Sequence, residues 1–446
     1  MQTLVVSPAQ GLPAKNAARE VVMFRKSAVA LAIIAAVSTS VSAEINFDTP
    51  GKTSLQQEIA NMEIPAPAAP QGKGLFSWML GKSEAEWTIM VYVNSKNNLE
   101  QYGLLDMNEM EKIGSTDKVN VVVEMGRMSG YDSSDGNWVG TRRYLVTKDN
   151  DFSKVTSPVL QDLGKVDMGD YKSVIDFGKW AKAAYPAKKY MLVVWNHGSG
   201  WDKSVRAGVN KGISYDDETG NNITTPQLGM LLKEMGGVDV YGSDACLMQM
   251  PEVVYEIKDY ATYVVGSEET EPGDGYTYND MLAPLVAKPG MGAEEMGKVA
   301  VDAYSNHYEA QSGDYTQSLV KTAALGQFLT LMNDFASAMM AANEKTLVKT
   351  AISGSQSYAV SDNHDIAHFA SLMAASTGNA TVKAKADAVA NYIKTALVAH
   401  NRASSGYSDS HGIAGYMPRY GFNRDYNELA WAAASQWDEF INWYQK

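Results

Sequence analysis

The sequence predicts an α/β protein, a mainly parallel sheet flanked by helices and followed by a helix-rich C-terminal portion. Three observations carry that prediction. Short, almost wholly apolar runs such as 89–93 and 190–195 alternate with helical patterns, as strands buried on both faces require. From about Met291 the texture changes to Ala- and Met-rich helical stretches, which read as core packing. With 446 residues, 45% hydrophobic and 20% charged, the chain has ample core material. That excludes a disordered tail protein, a collagen-like fibre and a small disulfide scaffold. The length suits two to three structural units, or one large α/β domain with additions.

Taken in order, residues 1–43 read as a leader and signal peptide, with Met23 as the true start. Met23-Phe24-Arg25-Lys26, the apolar stretch 28–37 and Val41-Ser42-Ala43 supply its basic, apolar and cleavage parts. The apolar stretch falls short of the roughly 20 residues that span a bilayer, so no stable membrane anchor is expected after signal removal. The protein should then be exported, periplasmic or secreted. Residues 44–85 form a linker or pro-segment, rich in Pro, Ala and Gly over 64–74. Organised structure should follow over 86–291: strands at 87–93, 119–125, 142–147, 190–195 and 238–242, and helices at 99–113, 171–185, 225–235 and 247–257. Over 292–446 the pattern predicts helices at 293–311, 323–343, 382–400 and 428–443, interrupted by one strand-like run at 411–417.

Net charge is −13, and removing residues 1–43, which carry four basic and one acidic residue, makes it −16. No Lys/Arg-rich run appears, which argues against nucleic acid and for cationic ligands or peptides. An exported chain usually pairs its cysteines, yet this one has a single cysteine, Cys246. It is either a small buried hydrophobe or a reactive thiol.

Its surroundings point to chemistry. Asn196-His197-Gly198-Ser199-Gly200-Trp201 follows one predicted strand, and Ser243-Asp244-Ala245-Cys246 follows another. Ligands bind at the carboxyl ends of such strands. Cys246 also opens the predicted helix 247–257, whose N-terminus would lower the thiol pKa. A neighbouring His197 could take the proton, giving a Cys–His pair for acyl transfer. Gly198 and Cys246 would offer their N–H groups to an oxyanion. Asp244, and Asp274 in Pro272-Gly273-Asp274-Gly275, could form a carboxylate pair that holds an Arg or Lys side chain. Equally, Asp244 could cap the following helix and Asp274 serve as a turn residue.

These two motifs resemble the catalytic motifs of the clostripain family of cysteine peptidases. Trp87 to Tyr92, Asn97-Asn98-Leu99-Glu100, Ile213 to Glu218, Ser267 to Gly275 and Gly412 to Pro418 are similar to further family segments. The likeness runs from about residue 86 to the end and departs at Asn94-Ser95-Lys96, where members often carry acidic residues. It implies a caspase/gingipain-like sheet, a Cys–His dyad and cleavage after basic residues. His197 precedes Cys246 by 49 residues, close to the roughly 50 of caspases. The resemblance also favours the specificity-pocket reading of Asp244 and Asp274. It further implies maturation by self-cleavage between the catalytic His and Cys, at Lys211 first and Arg206 second, on a Gly-containing polar loop.

The expected partners are therefore peptides or proteins with basic residues. The chemistry needs no cofactor, and calcium stays open by family resemblance. His364 and His368 would share one helix face, but no third ligand is identifiable, so the metal assignment is unknown. The rival expectation is a non-catalytic exported binding protein on the same fold.

Overall fold

The computed structural model describes residues 84–201 and 212–446. The leader, the linker up to residue 83, Arg206 and Lys211 lie outside the described residues, and the first strand begins at Ala85, the last position of the expected linker. Wholly apolar runs become strands because both faces of the sheet are covered. In β1 (Ala85–Ser95), Trp87, Ile89, Val91 and Val93 join the core cluster beneath the helices on one face. Thr88 and Tyr92 point the other way, where Tyr92 meets Phe177 and Thr88 donates to the Tyr185 carbonyl.

β5 (Ala187–Trp195) is the centre of a five-stranded parallel block, with β1 and β2 (Val119–Arg127) on one side and β8 (Val238–Asp244) and β9 (Ala261–Gly266) on the other. Polar residues inside it are paired: Asn120 donates to Thr88, and Glu124 accepts from Arg143 at 2.6 Å. On one side β3 (Gly140–Leu145) and β4 (Val159–Gly164) add antiparallel strands, and on the other β10 (Thr316–Lys321) and β12 (Val398–Ala403) do the same. The nine strands run β12-β10-β9-β8-β5-β1-β2-β3-β4.

Helices α1 (Glu100–Ile113), α5 (Tyr278–Ala287) and α6 (Ala293–Ala310) pack in sequence against one face. The opposite face receives α2 (Tyr171–Ala184), α3 (Thr225–Glu234) and α4 (Pro251–Ile257). Asp170 caps α2, and a Thr224/Gln227 capping box with Pro226 starts α3. A short hairpin of β6 (Ile213–Asp216) and β7 (Asn221–Ile223) precedes α3.

The C-terminal region contains α7 (Leu325–Ala342), α8 (Lys345–Gly354), α9 (Ile366–Ser376), α10 (Ala380–Tyr392), α11 (Ala430–Ala434) and α12 (Trp437–Gln445). It is helix-rich as expected but contributes two strands to the main sheet. The expected helix 382–400 ends at Tyr392, and a wider turn over 393–397 leads into β12. The strand-like run 411–417 is observed as β13 (Ala414–Tyr416), paired with β11 (Asn363–Asp365). This C-terminal stretch also reaches the centre of the molecule. Ala414 N donates to the Gln249 carbonyl at 3.1 Å, Gly412 N to Glu268 at 3.0 Å, and Tyr416 N to Glu252 at 3.1 Å.

Candidate active site

Register places the two motifs together. β5 and β8 pair in parallel with Trp195 opposite Asp244. His197 and Cys246 each lie two residues further on, at the same end of adjacent strands. Asn196 N donates to the Asp244 carbonyl at 3.2 Å, extending the ladder by one rung. His197, Asp244 and Cys246 line one small pocket with Leu99, Trp195 and Glu271. Its volume of about 20 Å³ holds roughly one water.

Gly198 packs directly on the cysteine loop. A Cβ there would lie 2.5 Å from the Cys246 carbonyl oxygen and 3.2 Å from the Cys246 nitrogen. Only a glycine permits this approach, and it brings the two expected oxyanion residues side by side.

His197 is held by a residue that motif reading passed over. Its Nε2 lies 2.8 Å from Asn98 Oδ1. An amide oxygen only accepts, so in this contact Nε2 carries a proton, which in the neutral ring leaves the lone pair on Nδ1. Asn98 sits in the loop between β1 and α1, and the Asn97-Asn98 doublet reads in sequence as nothing more than a helix entry. That loop is tied down on both sides. Asn97 donates to the Tyr215 carbonyl at 2.9 Å, and Asp217 N donates to the Lys96 carbonyl at 2.9 Å. Tyr215, in β6, also presents its ring to the His197 edge at 6.4 Å between centroids.

Around Cys246 the structure corrects one expectation. Helix α4 begins at Pro251, not at Leu247, because proline at the first helical position fixes the start. Leu247 adopts a φ of 65°, and its N–H bonds to the Glu269 carbonyl at 3.1 Å. The thiol therefore lies in a buried turn and does not open α4. Burial, with the carboxylates of Glu271 and Glu269 nearby, pushes it well above the ordinary thiol range. One feature works the other way: Glu271 N donates to Cys246 Sγ at 3.2 Å.

The carboxylates form the wall behind this thiol. Asp244 does not cap a helix. It accepts from Tyr276 N at 3.1 Å and Tyr278 OH at 2.8 Å, and burial pushes it up to about 7. Gly275, at φ 56°, makes room for it, since a Cβ there would lie 2.6 Å from Asp244 Oδ1. Glu271, whose Oε1 accepts from Gln317 Nε2 at 3.1 Å, is buried near Asp244, and burial followed by the Asp244 charge raises its pKa. Asp274 is buried in the same region but does not line the pocket itself. Asp106 of α1 is buried too, with Oδ2 accepting from the Trp195 indole at 2.6 Å. Its pKa is raised first by burial and then by the charges of Asp244, Glu109 and Asp274. Sequence reading missed both Glu271 and Asp106, because a buried acid on a helix or loop looks like a surface charge until the chain is folded.

The two histidines proposed to share a helix face do not. His364 lies in β11 with Nδ1 3.0 Å from Ser355 Oγ, and His368 lies in α9 with Nδ1 accepting from Gln356 N at 3.0 Å. Burial holds His364 near 4. Among the described residues no group of three or more His, Cys, Asp or Glu side chains comes together to hold a metal ion. At the loop where acidic residues are usual in the family, Lys96 turns its own ammonium inward.

A cysteine and a histidine stand at adjacent strand ends of a mainly parallel sheet, the placement that an attacking thiol and its base require. The family model Peptidase_C11, the clostripain family, matches residues 91–444, and the chain belongs to that family. Clostripain of Hathewaya histolytica is 28% identical over 234 residues, 47% of this chain and 44% of that protein. The match thus spans less than half of that relative's length. Among solved structures, a secreted C11 cysteine protease from Bacteroides thetaiotaomicron, bound to an irreversible peptide inhibitor, superposes with a TM-score of 0.60. It is 21% identical, with 79% of this chain and 99% of that one covered. An inactive zymogen C11 protease from Parabacteroides distasonis gives a TM-score of 0.60 at 17% identity, covering 79% and 98%. At these identities the likeness speaks for the fold.

Proposed function

We propose that this protein is an exported cysteine endopeptidase that cleaves after Arg or Lys through His197 and Cys246. The observation that carries the reading is the paired register of Trp195 and Asp244, which leaves the two side chains equally far beyond one sheet end. In this reading His197 Nδ1 takes the thiol proton while Asn98 holds Nε2. The sulfur attacks the scissile carbonyl, and the N–H groups of Gly198 and Cys246 receive the oxyanion. The imidazolium then returns its proton to the leaving amine, and water releases the acyl group. Asp244 and Asp274 receive the basic side chain, with Glu271 and Asp106 behind them.

The small pocket and the raised thiol suit a resting form. We infer that the enzyme matures by cutting itself at Lys211 or Arg206, between Trp201 and Ser214. That a solved relative of the same fold is described as an inactive zymogen supports this. Export through residues 23–43 completes the reading; among the described residues no helix is long and apolar enough to cross a membrane.

An Arg or Lys chloromethyl ketone should label Cys246 of the purified protein. Cys246→Ala and His197→Ala should each abolish hydrolysis of basic peptides while remaining folded, and Cys246→Ala should stay uncut. Normal turnover in either variant overturns the dyad. No labelling at all would favour the non-catalytic binding protein. N-terminal sequencing that finds no cut between Trp201 and Ser214 in active enzyme removes the maturation step alone.

A further inference from the structure

Lys96 follows β1 and has a fully buried side chain. Its Nζ lies 2.5 Å from the Val166 carbonyl oxygen, 2.9 Å from Glu218 Oε2 and 3.6 Å from Asp216 Oδ2. Two carboxylates and a carbonyl converging on one point are the oxygen set a hard cation takes. Here the cation is supplied by the chain. Asp216 is further fixed by the N–H groups of Met168, Glu218 and Thr219, at 2.9, 2.9 and 3.1 Å. Glu218 has a second partner, Lys165, at 2.7 Å.

The ammonium joins three separate stretches: the end of β1, the loop before α2, and the β6–β7 hairpin. These are the stretches that fix the His197 loop. Lys96 O accepts from Asp217 N, Asn97 bonds to the Tyr215 carbonyl, and Tyr215 N donates to Asn196 Oδ1 at 3.0 Å. One residue past Asn97, Asn98 reaches His197.

We propose that Lys96 is a resident cation that takes the place of a bound metal in assembling the loop that orients His197. It is a positioning residue, and the proposal rests on His197 being the general base. The burial carries an energetic consequence. A buried charge pair is stable only while both partners are present, because removing one leaves the other uncompensated in a low-dielectric site. Removing the Lys96 ammonium leaves Asp216 without its cation beside an empty space lined by oxygens. A small divalent cation can enter that space. Lys96→Ala should therefore convert a metal-independent enzyme into one that responds to calcium.

The test compares wild type and Lys96→Ala after exhaustive chelation and after millimolar calcium. Wild-type activity should be unchanged by either treatment. Lys96→Ala should lose about 10-fold or more in kcat with little change in KM. The acid limb of its kcat/KM profile should shift to lower pH as the Asn98 contact to the imidazolium loosens. Calcium should restore several-fold activity and raise its melting temperature. The proposal is overturned if wild type loses activity on chelation and regains it with calcium, or if folded Lys96→Ala keeps the wild-type kcat and pH profile. A Lys96→Ala variant that calcium neither activates nor stabilises also overturns the resident-cation role.

If Lys96→Ala does not fold, Glu218→Gln decides, since the Glu218 side chain is 27% exposed and tolerates change. It should lower kcat several-fold at constant KM, and an unchanged kcat overturns the proposal. The two levels separate cleanly. A fully active His197→Ala removes the general base and the proposal with it, whereas an inactive His197→Ala beside a wild-type-like Glu218→Gln removes only the role of Lys96.

Discussion

Gly198→Ala tests the geometry of the site with the smallest possible change. The added Cβ would lie 2.5 Å from the Cys246 carbonyl oxygen and 3.0 Å from the Ala245 Cβ. Ordinary contact starts near 3.4 Å, so the two loops must separate by about 0.9 Å. The clash is with backbone, and no rotamer change relieves it. A misplacement of about 1 Å between reacting groups costs roughly 100-fold. Displacing an oxyanion donor costs a comparable factor. The expected fall in kcat is therefore about 100-fold, with KM for a basic substrate less affected because Asp244 is anchored independently by Tyr276 and Tyr278. Steady-state kinetics on a Lys or Arg peptide amide, beside a melting curve to confirm folding, measure it. A folded Gly198→Ala enzyme with wild-type kcat would refute both the close approach and the oxyanion assignment.

Other outcomes follow from the same geometry. Asn98→Ala removes a hydrogen bond that becomes charge-assisted when the imidazolium forms, worth about 1.5–3 kcal/mol, so kcat/KM should fall roughly 10- to 100-fold. Asn98→Asp should instead move the acid limb of the pH profile upward, and identical profiles in both variants would dismiss the orienting role. Asp244→Asn should cut kcat/KM for Arg and Lys substrates by roughly 10- to 100-fold while sparing a neutral substrate; an unchanged preference contradicts the pocket. Stability should fall as pH rises. Asp244, Glu252 and Asp365 are each pushed by burial up to about 7 when folded, so between their unfolded values near 4 and that point the folded state binds the extra protons. Each such group removes stability across that window, and the melting temperature should be higher at pH 5 than at pH 8. A steady rise from pH 5 to pH 8 would show that the buried acids ionise freely.

Much of this was legible because burial on both faces writes strands such as 89–93 and 190–195 as unbroken apolar runs. The Gly-rich motif after 190–195 and the short run after 238–242 marked His197 and Cys246 by their place at strand ends. β10 was hidden because its residues alternate Thr, Gln, Ser, Leu, Val and Lys, and the polar ones bond inside the core, as when Gln249 donates to Ser318 Oγ at 2.9 Å. β12, an edge strand that is half-buried along its whole length, reads as a continuation of α10. The helix expected at Leu247 failed on Pro251, whose position favours starting a helix there over lying inside one. Asn98, Glu271 and Lys96 owe their roles to neighbours 25 or more residues away in the chain, beyond the reach of any local pattern.

The hydrogen bonds from residues 412–416 to Gln249, Glu252 and Glu268 set an order of events during synthesis. The strand ends that carry His197 and Cys246 are made in the first two thirds of the chain. The backbone that braces the cysteine loop emerges among the last residues. A nascent chain thus carries both reactive side chains while the brace for one of them is still missing.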